Sequence, residues 1–342
     1  MSGDTAPHVV EDFFGAIQLL SDGTVIRGDQ TLLMPAEPFP DVAGVEWKDA
    51  VYDAARGLKV RLYKPAAAAD AGDDGGNKSK LPVLVHFHGG GYCIGSYDQL
   101  GGGHYLRRRL AADLPALVLS VQYRLAPEHR LPAAIEDGAT FLAWLRGQAA
   151  LATAGCAGAG AAEPWLAESA DFARTFLSGV SAGANLAHHL AVKAGSGQID
   201  NLAPVRLAGH VLLSLFLGGV QRMATESTPP DGVSLTVAMS DQLWRMSLPV
   251  GASFDHPLAN PFGPDSPDLE PVALPPVLVE APEVDVLRDR VLLYAARLKE
   301  MGKDVELAEF EGEQHGFSVR RWGQANEELV RILKRFVHRC ST

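Results

Sequence analysis

Length, composition and charge limit the classes of protein to which this chain can belong. It has 342 residues, 47% of them hydrophobic, which is enough to bury one large domain or a domain with a cap. Its formal net charge of −11 at pH 7 argues against nucleic acid and anionic membranes as partners.

The cysteines and the first residues indicate a cytoplasmic protein. Cys93, Cys156 and Cys340 stand far apart, in no disulfide-framework or zinc spacing, which favours a reducing compartment. Residues 1–7 have neither the basic nor the apolar region of a secretion signal. The most apolar run, residues 211–220, has about half the length of a membrane helix. We therefore expect a cytoplasmic location and no membrane partner.

The first 80 residues predict a helix and then extended segments. Apolar residues between 10 and 20 have helical spacing, which predicts a helix that packs on the core or forms part of a lid. Residues 24–34 are predicted to be extended, and residues 45–52 and 58–63 to be two strands of a meander. The small and polar residues 66–80 predict a loop with no function of its own.

From residue 81 onward, predicted strands and helices alternate, which favours a single α/β domain with a mostly parallel sheet flanked by helices. Residues 215–255 interrupt the alternation and contain a helical stretch at 233–247. Together with residues 1–40 they are the predicted cap of a domain that spans residues 1–342. The predicted strands are 81–88, 116–123, 172–177, 207–215, 275–280 and 305–310; the predicted helices are 132–147, 184–192, 287–301 and 326–339; and 101–103 and 149–162 are predicted loops.

Residues 179–183, with the sequence Gly-Val-Ser-Ala-Gly, match the pattern of a nucleophile elbow. An apolar strand precedes them and a helical run follows. In such a turn Gly179 and Gly183 leave room beside Ser181, and the helix aims its first N–H groups at the same place. The alternative interpretation is an ordinary turn flanked by glycines.

A serine nucleophile needs a base and an acid, and two residues after predicted strands are candidates. His315 follows strand 305–310, and Asp285 follows strand 275–280. Loops after parallel strands gather at the sheet edge where the elbow also lies, so we expect Ser181, Asp285 and His315 to form a triad. Glu283 and Asp289 are the rival acids. The remaining histidines, including His188 and His189 on the helix after Ser181, are expected to pack or to lie at the surface.

Residues 88–91, His-Gly-Gly-Gly, predict an oxyanion loop that closes the strand before it. The expected donors are the backbone N–H groups of Gly90, Gly91 and Ala182. The alternative is a phosphate loop, but no Lys-Ser or Lys-Thr follows. His86 and His88 alternate onto one strand face without a third ligand at a sensible spacing. We therefore expect neither a metal nor a cofactor.

With these residues identified, the chain resembles the plant carboxylesterases of the hormone-sensitive-lipase-like group of α/β-hydrolases. The resemblance covers roughly residues 10–340. It departs from the family pattern at Val180, Ala184 and Gln122, where the family often has Asp, Gly and Asp. The matching motifs, in family order, are His-Gly-Gly-Gly at 88–91, Tyr-Arg-Leu-Ala-Pro-Glu-His at 123–129, Gly-Val-Ser-Ala-Gly at 179–183, Asp-Val-Leu-Arg-Asp at 285–289 and His-Gly-Phe at 315–317.

The resemblance implies a serine carboxylesterase that hydrolyses a small-molecule ester through an acyl-enzyme, as a monomer or homodimer. Further stretches resemble the branch that hydrolyses strigolactones, at 18–25, 62–65, 244–249, 260–264 and 287–290. A receptor like the gibberellin receptors is the alternative, but those lack the histidine that His315 matches. A dehydratase of the family has Thr where Ser181 stands.

An apolar pocket for the acyl or alcohol group is the last expectation from the sequence. The candidates are equally consistent with core positions; they are Phe13, Phe14, Ile17, Trp244 and Phe317.

Overall fold

The computed structural model describes residues 6–30, 33, 39–66, 80–154, 162–199 and 201–341. Within these residues the strands are β1 (Val9–Phe13), β2 (Ile17–Leu20), β3 (Val25–Arg27), β4 (Val45–Asp53), β5 (Leu58–Pro65), β6 (Leu81–Phe87), β7 (Leu117–Val121), β8 (Ala170–Val180), β9 (Leu207–Leu213), β10 (Val277–Val284) and β11 (Val305–Gln314). The helices are α1 (Gly102–Asp113), α2 (Ala133–Ala154), α3 (Pro164–Ser169), α4 (Ala182–Gly195), α5 (Ala224–Ser227), α6 (Val237–Ser247), α7 (Arg288–Glu300) and α8 (Gln324–Ser341).

A mixed sheet of eight strands forms the centre of the described chain, in the order β11-β10-β9-β8-β6-β7-β5-β4. The neighbours from β11 through to β7 pair in parallel. The pairs β7–β5 and β5–β4 at the other end of the sheet are antiparallel. Strands β6 and β7 are buried along their whole length, as expected for strands covered on both faces. The predicted α/β architecture is therefore confirmed.

Two apolar clusters cover the two faces of this sheet. One contains the buried faces of α2, α4 and α7, including Phe141, Leu186 and Val291. The other contains those of α1 and α8, including Leu106 and Leu333. Because the helices occupy both faces, the strand ends and the loops that follow them remain accessible for side chains that do chemistry.

The predicted helix at residues 10–20 is wrong. These residues form β1 and β2, which pair antiparallel, and β3 pairs with β2 in a separate three-stranded sheet. The chain reverses at Phe14 and Gly15, which have φ angles of 53° and 69°. The carboxylate of Asp12 accepts the N–H of Gly15 at 2.7 Å and stabilises this turn.

Other predicted boundaries also need correction. The predicted loop at 101–103 contains the start of α1, where a Cβ on Gly102 would lie 1.7 Å from the backbone oxygen of Val319. Helix α2 continues to Ala154, into the predicted loop at 149–162, of which residues 155–161 lie outside the described chain. The loop predicted at 66–80 also lies outside it, except for its two ends, and the extended segment at 24–34 is described only in part.

Residues from both parts of the predicted cap contact each other. Glu11 on β1 accepts hydrogen bonds from the side chains of Arg245, at 2.6 Å, and Gln242, at 3.0 Å, on α6. Arg27 on β3 donates to the backbone oxygen of Cys93 at 2.7 Å and pairs with Glu128. The division into one core and a cap stays a prediction. Across the described residues, none of the helices has the length and apolar character needed to cross a membrane.

Candidate active site

Ser181 stands on a sharp turn between β8 and α4, the context expected for a nucleophile elbow. Its φ of 55° and ψ of −118° are unusual for a residue with a side chain. A Cβ on Gly179 would lie 2.1 Å from the backbone oxygen of Gly183, and one on Gly183 would lie 2.1 Å from that of Phe87. Glycine is therefore required at both positions for the turn to close.

The structure brings Ser181, His315 and Asp285 into one hydrogen-bonded chain. The Oγ atom of Ser181 lies 2.8 Å from Nε2 of His315, and Nδ1 of His315 lies 2.7 Å from Oδ2 of Asp285. The other oxygen of Asp285 accepts the N–H of Leu287 at 3.0 Å. Asp285 has no exposed surface, while Ser181 and His315 are 8% and 9% exposed. With Asp285 accepting from Nδ1–H, Nε2 is left to accept the serine proton.

The rival acids lie elsewhere. The carboxylate of Glu283 accepts the N–H of Gly312 at 2.8 Å, and that of Asp289 accepts the N–H of Thr225 at 3.0 Å. His188 hydrogen-bonds to the hydroxyl of Tyr294 at 2.8 Å instead of facing the elbow. The geometry thus favours His315 and Asp285, rather than the neighbouring titratable groups, as the partners of Ser181.

The glycine loop predicted to hold an oxyanion lies against the nucleophile. Gly90 and Gly91 have φ angles of 113° and 58°, and the N–H groups of Cys93 and Ile94 both donate to the oxygen of Gly90. A Cβ on Gly90 would lie 2.2 Å from the backbone oxygen of Ile94. Among the described residues, none accepts a hydrogen bond from the N–H groups of Gly90, Gly91 or Ala182. Such donors are available to a developing negative charge.

His88 supports this loop from behind. Its Nδ1 donates to the oxygen of Gly89 at 2.7 Å, its ring stacks on Tyr123 at 4.3 Å, and the hydroxyl of Tyr123 donates to the oxygen of His88 at 2.8 Å. Burial lowers the pKa of His88 to about 4, so the ring is neutral at pH 7. His86 instead lies 3.2 Å from the hydroxyl of Ser178. In the described ranges, no three potential ligands are grouped so that they could hold a metal.

A protein-family comparison matches residues 84–319 to the family described as the α/β hydrolase fold. This range includes all the site residues above and more than half of the chain. The chain belongs to this α/β-hydrolase family.

Relatives of this α/β-hydrolase have several functions. It is 33% identical to 2-hydroxyisoflavanone dehydratase of Glycyrrhiza echinata, over 93% of this chain and 92% of the relative. It is also 33% identical to carboxylesterase 20 of Arabidopsis thaliana, over 92% and 93%. The gibberellin receptor GID1 of Oryza sativa subsp. japonica is 33% identical, over 87% and 82%.

Among solved structures, the hydrolase is similar to an esterase from Pyrobaculum calidifontis. The TM-score is 0.68 at 27% identity, over 86% of this chain and 85% of that chain. Carboxylesterase relatives and esterase neighbours, with the side-chain geometry above, class the hydrolase as a carboxylic ester hydrolase.

The predicted cap region borders this site of the hydrolase. The hydroxyl of Ser234 donates to the backbone oxygen of His315 at 3.3 Å, and the amide of Gln314 donates to that of Gly232 at 2.8 Å. A Cβ on Gly91 would lie 2.5 Å from the side chain of Leu243 on α6. Leu243 was not among the pocket candidates, because only the folded chain places it against the oxyanion loop.

The five pocket candidates are placed differently. Phe14 lies at the hairpin turn and is 62% exposed, whereas the other four are buried. Trp244 stacks on Phe216, and Phe317 packs against Phe310. Phe13 and Ile17 belong to the core cluster. Core packing accounts for the four buried residues, and their role in a pocket remains a prediction.

The sequence did not predict one pair of buried residues, Glu280 and Ser214, that contacts the site. Glu280 is buried on β10, and its carboxyl accepts the backbone N–H of Ser214 at 2.5 Å and the Ser214 hydroxyl at 3.1 Å. The Ser214 hydroxyl in turn accepts the N–H of Gly316 at 2.9 Å. A signal was present in the sequence, because Glu280 is the one charged residue in the apolar run 277–281.

Proposed function

We propose that the chain hydrolyses small carboxylic esters through a covalent acyl-enzyme. The observation that carries the proposal is the unbroken hydrogen-bonded chain from Ser181 through His315 to Asp285. The relatives with other functions have similar identity to this chain, so identity does not choose among them. A serine hydroxyl paired with an imidazole that is itself bonded to a buried carboxylate is the arrangement that acyl transfer requires.

In the first half-reaction, Ser181 attacks the ester carbonyl while Nε2 of His315 takes the hydroxyl proton. Asp285 holds the imidazole through Nδ1 and stabilises the imidazolium that forms. The carbonyl oxygen becomes negative, and the N–H groups of Gly90, Gly91 and Ala182 donate to it. His315 then gives its proton to the leaving alcohol, and the acyl group remains on Ser181.

In the second half-reaction, His315 takes a proton from water, and the hydroxide attacks the acyl group. A second tetrahedral oxyanion forms against the same three N–H groups. Its collapse releases the carboxylic acid, and the proton on His315 returns to Ser181. Both half-reactions therefore use the same residues, with His315 acting alternately as base and acid.

Hydrolysis of a short-chain p-nitrophenyl ester tests this mechanism. Replacing Ser181 by Ala should lower kcat on the order of 10⁵- to 10⁶-fold, and His315→Ala should cause a loss of the same order, because the pair acts as a unit. His338→Ala changes an exposed histidine on α8 and should leave kcat unchanged. Substantial activity in Ser181→Ala would show that the nucleophile is another residue. A folded wild type without turnover would favour a hormone receptor.

We propose strigolactones as the first physiological substrates to test. Support comes from the stretches at 18–25, 62–65, 244–249, 260–264 and 287–290, which resemble the strigolactone-hydrolysing branch. Hydrolysis would release a butenolide fragment. Product analysis after incubation with wild type, with Ser181→Ala as the control, should detect that fragment only with wild type. Its absence would exclude the substrate while leaving ester hydrolysis intact.

A further inference from the structure

The carboxyl group of Glu280 is buried on β10, and its hydrogen-bond partner in the described chain is Ser214, not Ser181 or His315. Strand β10 runs between β9 and β11, and Glu280 has no exposed surface. Two donors of Ser214 converge on its Oε2 atom, at 2.5 and 3.1 Å. Within the described part of the chain, Oε1 has no hydrogen-bond partner. Burying a carboxyl group lowers the stability of the fold unless its oxygens are hydrogen-bonded.

Ser214 links Glu280 to the loop that carries His315. Its hydroxyl accepts the N–H of Gly316, the residue directly after His315. Ser214 also has a φ of 46°, a conformation that few residues with a side chain adopt. The two hydrogen bonds from Ser214 to Glu280 hold it there.

The segment 213–216, called the Ser214 turn below, also holds the nucleophile. The backbone N–H of Ser181 donates to the oxygen of Leu213 at 2.8 Å, and its backbone oxygen accepts the N–H of Phe216 at 3.3 Å. Leu213 and Phe216 lie on either side of Ser214 and Leu215 in the chain. The positions of Ser181 and of the His315 loop therefore both depend on the Ser214 turn.

We propose that Glu280 is a positioning residue that fixes the Ser214 turn and thereby the distance between Ser181 and His315. The inference rests on the proposed ester hydrolysis for its kinetic effect. Its structural content, a carboxyl that sets the geometry of the base, can be tested separately.

The charge state of Glu280 gives the proposal a pH signature. Burial raises the pKa of Glu280 to about 8, and the carboxylates of Asp285 and Glu313 act in the same direction. At pH 7 the carboxyl is therefore mostly neutral. Above pH 8 a second buried negative charge forms close enough to Asp285 for the two carboxylates to repel each other. We expect activity to decrease as this charge forms.

Two substitutions separate the acceptor from the charge. Glu280→Gln keeps an oxygen for both Ser214 donors and cannot ionise, so it should retain kcat within about threefold and lose the decline above pH 8. Glu280→Leu removes the acceptor and should lower kcat about 10- to 100-fold with little change in KM, the effect of a small misplacement. Ser214→Ala should fall between them. Glu283→Leu, at an exposed carboxylate on the same strand, is the matched control.

A kinetic result can overturn the proposal. Glu280→Leu with the kcat of Glu283→Leu would do so, as would an unchanged alkaline decline in Glu280→Gln. If Glu280→Leu does not fold, as circular dichroism would reveal, Glu280→Gln and Ser214→Ala still decide.

Proton NMR provides a readout that does not depend on turnover. The His315 Nδ1–H bonded to Asp285 should give a far-downfield resonance that persists in Glu280→Gln and weakens or shifts in Ser214→Ala. A wild type with this resonance but without esterase activity would refute the proposed function alone. No resonance in wild type, or the same resonance in Ser214→Ala, would refute the positioning role.

Discussion

Ser181 adopts a backbone conformation that a residue with a side chain reaches only when its surroundings impose it. Its φ of 55° and ψ of −118° cost on the order of 1–3 kcal/mol. Leu213 accepts the backbone N–H of Ser181 and Phe216 donates to its backbone oxygen, and these two hydrogen bonds impose the conformation. The neighbouring glycines make the same turn sterically possible.

The requirement for glycine at 183 leads to a stability prediction. Gly183→Ala puts a Cβ about 2.1 Å from the backbone oxygen of Phe87, which cannot move without distorting β6. We expect a loss of about 3 kcal/mol or more in the free energy of unfolding. Urea denaturation would measure it.

Gly147→Ala is the matched control, since Gly147 also lies in a helix and a Cβ there meets nothing within 4 Å. It should gain roughly 0.5–1 kcal/mol through helix propensity. Equal stabilities of the two variants would mean that the elbow is not as tightly closed as the structure indicates.

At the residue scale, the sequence predicted which side chains lie together better than it predicted the residues that support them. The pattern around Ser181 and the post-strand positions of Asp285 and His315 were sufficient to predict that these three side chains meet, because strand ends converge. Ser214 and Glu280 were not predicted, since their importance comes from a contact between neighbouring strands. No local motif marks such a contact.

Among the elements, the N-terminal hairpin shows where periodicity fails. The apolar spacing of residues 10–20 also suits two strands that reverse at Phe14 and Gly15, and the short strands are too brief for alternation to be evident. The alternation after residue 81 was predicted correctly because its strands are long, buried and apolar. The start of α1 among three glycines was missed, since Gly102 is selected by its approach to Val319 rather than by helix propensity.

The contact between the hairpin and α6 yields a prediction at the element scale. Hydrogen bonding from Arg245 lowers the pKa of Glu11, so the contact stabilises the hairpin above the ordinary pKa of about 4.5 and is lost as pH falls through the lower, folded value. Because the ion pair is partly exposed, Glu11→Ala should cost less than about 1 kcal/mol overall. Amide hydrogen exchange at pH 7 should nevertheless accelerate in β1 and β2.

Glu328→Ala is the control for this experiment. It removes an exposed ion pair with Arg331, 2.9 Å away, within α8. Exchange in the hairpin should not change in this variant. If Glu11→Ala behaves in the same way, the contacts of Glu11 with α6 do not hold the hairpin.

For the whole molecule, buried histidines make stability depend on pH. Burial lowers the pKa to about 3 for His86, to about 4 for His88, His189 and His210, and well below the ordinary value for His188. Below pH 6.5 the unfolded chain binds protons that the folded chain does not. Each such histidine then removes up to about 1.4 kcal/mol per pH unit as pH falls.

Urea denaturation between pH 7.5 and 5 should therefore show a decreasing free energy of unfolding. His188→Gln removes one of these groups and should make the decrease shallower, whatever it does to stability at pH 7.5. His338→Gln, on the exposed face of α8, should leave the slope as it is. A slope that His188→Gln does not change would mean that folding does not lower the pKa of His188.

The order of the site residues along the chain has a consequence for synthesis. Ser181 and His315 are separated by 134 positions, and Asp285 and His315 directly follow β10 and β11, the last two strands of the chain. A chain emerging from the ribosome presents its elbow and its glycine loop long before β11 exists. Under the proposed mechanism Ser181 has no base during that interval, so a nascent chain should not attack esters around it. We therefore expect hydrolytic activity to begin only after β11 has been synthesised and has paired with β10.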